Sequence, residues 1–65
     1  MDKIKQELSM ELSIMTKQMR RIADKIDSLQ DDYWSGHATQ MRGAAEIAKT
    51  WVKGLNDESN SNETN

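Results

Sequence analysis

His37 is the only imidazole in the chain, and it has Ser35 two residues before it and Asp32 five residues before it. A hydroxyl, an imidazole and a carboxylate are the parts of a nucleophile activated by an oriented base. Here all three fall within one short stretch. Catalysis also needs a pocket that excludes water around the reacting atoms, and a chain of 65 residues has little left to build one. His37 reads more simply as a residue near the start of a helix. There is no Cys, which removes both thiolate chemistry and disulfides. One His cannot make a nitrogen-rich metal site. Of the five Met residues, Met15, Met19 and Met41 fall on apolar seams, where Met is ordinary filler. The expectation is a protein without enzymatic activity, cofactor or metal.

Charge is the other chemistry available. Lys17, Arg20, Arg21, Lys25, Arg42, Lys49 and Lys53 are the cations that a phosphate-binding surface would use. The overall balance is against it: nine Lys and Arg face eleven Asp and Glu, for a net charge of −2. A nucleic-acid binder normally carries a basic excess. Asp57, Glu58 and Glu63 lie near the C-terminus, which leaves nine bases against eight acids over residues 1–56. Asp24, Asp27 and Glu46 interrupt the cationic field, and Glu46 is spaced to pair with Lys49 or Arg42 on a helix. A solvated polar face is the simpler interpretation. A second cluster joins Met10 and Ile14 with Lys3, Lys17 and Arg21. An apolar pair ringed by cations is suited to an acidic amphipathic partner, although isolated surface apolars need no explanation.

These residues sit on two helices. Leu8, Leu12, Met15, Met19, Ile22, Ile26 and Leu29 are spaced 4, 3, 4, 3, 4, 3, the pattern of a heptad seam on one helix face. The chain contains no Pro, and its first Gly is Gly36, so a first helix is expected over residues 2–30. A second seam runs Trp34, Ala38, Met41, Ala45, Ala48, Val52 and Leu55. Leu29 to Trp34 is a five-residue step, which on one continuous helix rotates the apolar stripe by roughly 140°. With Asp31, Asp32, Ser35 and Gly36 at the break, the phase change predicts a turn over 31–36 and a second helix over 36–55. Asp31, Asp32 and Ser35 are all suitable N-caps, and Gly54 marks the end. A single long helix with a stutter is the rival. Residues 56–65 offer nothing apolar to bury and are expected to be a disordered polar tail.

The expected fold class is therefore all-α: one antiparallel helical hairpin over residues 1–55. Ala44, Ile47 and Trp51 widen the apolar arc of the second helix beyond what one neighbour covers. At 1.5 Å per residue, a first helix of roughly 42 Å also outreaches a second of roughly 30 Å and leaves Ile4 and Leu8 overhanging. Chains this short bury too little surface to be securely stable alone, and without disulfides or metal the remaining support is association. A homodimer forming a four-helix bundle answers both points. Tyr33 and Trp34 are expected to cap the open end of the bundle, the indole N–H seeking a carbonyl or water.

No apolar run reaches the ~20 residues that span a bilayer, and residues 1–5 lack the apolar stretch of a signal peptide. A cytoplasmic protein is expected. The triplet Trp34-Ser35-Gly36 between two helices resembles the Trp-X-Gly turn of the small hairpin substrates of type VII secretion. That resemblance covers the tripeptide and the alanines after it, and it implies an exported helical dimer. Those proteins are typically longer on both sides and carry a Tyr-X-X-X-Asp/Glu signal after the second helix, whereas here the only Tyr is Tyr33. In length and layout the chain also resembles the plasmid copy-control RNA-binding hairpin, a likeness of architecture that does not establish function. The leading expectation is a non-enzymatic homodimeric adaptor, regulator or inhibitor that binds another protein, a profile often seen in small phage or mobile-element regulators. RNA or DNA binding through the Lys/Arg faces is the alternative, and an exported Trp-X-Gly hairpin the third reading.

Overall fold

A computed structural model describes the backbone of residues 2–64 and the side chains of residues 2–57. Two helices make up this span, α1 over Lys3–Asp27 and α2 over Asp32–Thr64, and among the described residues there is no strand. Asp2 starts α1: its carboxylate accepts the Ile4 N–H at 2.9 Å, satisfying one of the donors that a first turn leaves free. Lys25 lies in the last turn, where a cation is favoured by the helix dipole.

The break near residue 30 is a tight turn. Leu29 and Gln30 donate to the carbonyls of Ile26 and Asp27, three residues back, which winds the end of α1 more tightly than an α-helix. Gln30 then takes a left-handed conformation (φ 53°), reversing the chain. Asp31 caps α2, its Oδ1 accepting the N–H groups of Tyr33 at 2.9 Å and Trp34 at 3.2 Å, while its carbonyl accepts the Ser35 N–H. A cap at Asp31 differs from a turn over 31–36. Trp34, Ser35 and Gly36 lie in the opening turns of α2, not in the turn as in the Trp-X-Gly pattern, and Gly36 needs no positive φ.

The other helix end also differs from the expected one. Gly54 has no positive φ, so it does not form the left-handed cap that ends helices, and α2 continues to Thr64. With 25 residues in α1 and 33 in α2, the first helix does not outreach the second. The expected disordered tail over 56–65 falls mostly on residues whose side chains lie outside those described.

The helices pack antiparallel in a slab 51 × 15 × 11 Å. Arg20 meets Glu46 and Asp24 meets Arg42, so residues whose numbers add to 66 lie at one level (20 and 46, 24 and 42). The layer between them is made of small groups: Ala23, Ala38, Ala45 and Ala48 are buried, with Thr16 beside them, and among the described residues no large side chain is fully buried. The Thr16 hydroxyl donates to the Ser13 carbonyl at 2.8 Å, satisfying itself within α1.

This layer uses only half of the α1 seam. Leu12, Met19 and Ile26 are half-buried against α2, but the row completing the interface is Ser9, Thr16 and Ala23 rather than Leu8, Met15, Ile22 and Leu29. Size is the reason. Alanines at 38, 45 and 48 let the two backbones come close, and only short side chains fit between close backbones. The long side chains of the other row move one heptad row aside, about 50° round the helix.

Candidate interaction surfaces

The register gives the hairpin two unlike broad faces. On one side of the helix–helix line, α1 presents the row Ser13, Arg20 and Asp27, and α2 presents Arg42 and Glu46. Arg20 Nη2 donates to Glu46 Oε1 at 2.7 Å, and Arg42 Nη2 reaches Asp24 Oδ1 at 2.8 Å and Asp27 Oδ2 at 2.6 Å. Hydrogen bonds that the Arg42 guanidinium donates to Asp24 and then Asp27 hold its pKa above the ordinary value. This face is polar and internally neutralised.

The opposite face is apolar. From α1 it carries Leu8, Met15, Ile22 and Leu29, with Ile4 on its rim; from α2 it carries Trp34, Ala44 and Trp51, with Ile47 on its rim. The eight larger of these residues are 38–65 % exposed. At roughly 200 Å² per large apolar residue they present on the order of 800 Å² to solvent. Contiguous apolar patches of this size on soluble proteins mark interaction sites.

Among the other residues expected on the α2 seam, Ala38, Ala45 and Ala48 are buried and Met41, Val52 and Leu55 half-buried. Met10 and Ile14 are 64 % and 57 % exposed on the outer side of α1, away from α2, with Lys3, Lys17 and Arg21 also exposed. The cations considered for phosphate binding are not gathered into one field. Arg20 and Arg42 are occupied by carboxylates, Lys49 and Lys53 fall on the polar side, and Lys25 borders the apolar face.

His37 lies in a ring cluster on the first turns of α2. Its ring centroid is 4.7 Å from that of Tyr33 and 5.1 Å from that of Trp34, and those two rings meet edge to face at 5.8 Å. Neither Asp32 nor Ser35 is hydrogen-bonded to it, so the three do not assemble as a triad. Because α2 begins at Asp32, His37 lies four residues after Tyr33 and three after Trp34 on one helix, a signal that becomes readable only once the helix start is known. Among the described residues no group of three or more His, Cys, Asp or Glu could hold a metal ion, and no helix is long and apolar enough to cross a membrane.

The row Ser9, Thr16 and Ala23 is absent from the sequence-derived core. Its signal was a seven-residue spacing of small side chains matching the spacing of Ala38, Ala45 and Val52. No protein-family model matches the chain, and no curated protein and no solved structure matches it.

Proposed function

We propose that the chain is a non-enzymatic interaction protein, a homodimeric helical adaptor or regulator that acts by binding another protein. One observation carries this reading: a hairpin with an ion-paired face on one side and on the order of 800 Å² of apolar side chain on the other. Burying that face against a second hairpin makes a four-helix bundle, which supplies the large-residue core the single hairpin lacks. The outer side of α1 then stays in solvent, and Met10 and Ile14, with Lys3, Lys17 and Arg21 around them, suit an acidic amphipathic segment of the partner protein. Glu7 and Glu11 on the same helix limit how acidic that segment is.

The test is affinity capture of the tagged full chain from a lysate of its native host, with and without nuclease. A protein that survives nuclease, and is lost when Met10 and Ile14 are replaced by Asp, supports the adaptor reading. Nucleic acid in the eluate, with protein partners disappearing on nuclease treatment, replaces it with recognition through the cations. Multi-angle light scattering reads the homodimer directly, and a monomer mass across micromolar concentrations removes it.

A further inference from the structure

Two hairpins can cover each other's apolar faces around a two-fold axis in two ways. In one, the two turns lie at the same end and α1 packs on the partner's α2. In the other, the turns lie at opposite ends, α1 packs on the partner's α1, and α2 on the partner's α2. We infer that this chain forms the second arrangement, with the axis passing level with Gln18 and Ala48. The inference rests on the homodimer reading above.

The rim charges make the first argument. Glu11, Gln18 and Lys25 form one heptad row along the edge of the apolar face. Arg20 and Arg42 hold the ion pairs of the polar face, and Glu11 and Lys25 have no ionic partner among the described residues. An axis at Gln18 sets Glu11 level with the partner's Lys25, and by symmetry Lys25 level with the partner's Glu11. Each copy then supplies one member of both pairs, as an isologous interface requires. With turns at the same end, Glu11 is level with the partner's Leu55 and Lys25 with the partner's Met41. Neither charge is answered there, and opposite charges on flanking rows are what select helix orientation.

The surroundings of Trp51 make the second. The same axis pairs the apolar row of α1 with itself, Leu8 against the partner's Leu29 and Met15 against the partner's Ile22. On the other pair of helices it sets Trp51 level with the partner's Ala44, and Met41 with the partner's Leu55. These matches hold to within about one residue, roughly 1.5 Å of rise. Trp51, 57 % exposed in the hairpin, thus finds a small residue opposite it. Large against small is how facing helix positions interdigitate. In the same-end arrangement Trp51, the largest side chain type on this face, meets Met15 instead of a small residue. The area also suits a second copy, since a standard specific interface buries about 800 Å² on each partner.

The chain lacks Cys, so a single introduced thiol can carry a spin label without competition. Ser28→Cys lies ten residues from the axis on the exposed turn, and the two labels of an opposite-end dimer are separated by about 30 Å along the bundle. Same-end turns bring them within about 20 Å, the width of two packed helices. Double electron–electron resonance on the full-length dimer distinguishes the two. Charge exchange gives an independent readout that leaves the core untouched. Glu11→Lys raises the dimer dissociation constant roughly fivefold, and Lys25→Glu does the same. The double variant returns it to within about twofold, because the pairs are restored with reversed sign. A stable dimer with labels within about 20 Å, or without rescue by the double variant, overturns this arrangement and leaves the homodimer standing. A monomer by light scattering overturns both.

Discussion

Replacing Ala45 by Leu tests the small-residue layer where it is tightest. Ala45 is fully buried at the middle of α2, level with Arg20 and Arg21 and so between the Thr16 and Ala23 levels of α1. Leu adds three carbons at a point where the opposing groups are a methyl and a short Thr. The added volume has no cavity to enter, so either the helices separate or the new side chain leaves its rotamer. Overpacking of this kind costs about 1–3 kcal/mol. At about 2.1 cal/mol/K per residue, unfolding 65 residues carries an entropy of about 140 cal/mol/K, and each kcal/mol lowers Tm by about 7 °C. The expected loss is therefore about 7–20 °C, read by far-ultraviolet circular dichroism at one fixed protein concentration, since association makes Tm depend on concentration. An unchanged or raised Tm for Ala45→Leu would refute close backbone packing. It would mean that the hairpin is held by the large residues of the seam.

Three further outcomes follow from local geometry. A Cβ built on Gly43 meets nothing within 4 Å, and its φ is not positive, so Gly43→Ala should stabilise by about 0.5–1 kcal/mol by removing backbone freedom from the unfolded chain; a destabilised variant in urea unfolding would show that this side of α2 is covered. Gln30 holds φ 53° without being glycine, and Gln30→Gly should gain up to about 1 kcal/mol by relieving the left-handed strain; equal urea midpoints for the two proteins would place the turn elsewhere. Arg42→Met should lower Tm modestly at low salt. Its two carboxylate partners are exposed enough for screening, so the difference from the parent should shrink near 1 M salt, and a salt-independent loss would mean that packing of the side-chain stem matters more than charge.

The helical class, the hairpin and the α2 seam from Ala38 onward were legible along the chain because each is periodic or local. Apolar residues recur at 3.6-residue spacing, and the phase of that spacing jumps between Leu29 and Trp34. Asp31 was among the cap residues anticipated, and its carboxylate binds the α2 N–H groups. The helix boundaries were less legible. A left-handed Gln30 replaced the glycine expected at a reversal, and Gly54 was compatible with continuing a helix.

What only the tertiary structure decided is which part of the α1 apolar stripe faces α2. Hydropathy ranks Leu8, Met15, Ile22 and Leu29 above Ser9, Thr16 and Ala23, so polarity alone places the large residues inside. Packing depends on volume as well as polarity. Against a row of alanines the two backbones approach until only hydroxyl and methyl groups fit between them, and Thr16 can join because its hydroxyl is satisfied by Ser13 within its own helix. The displaced large residues then line up with Trp34, Ala44 and Trp51 on one side. An apolar face for a second molecule is thus the complement of a core made of small residues, a relation visible only once the two helices are set against each other.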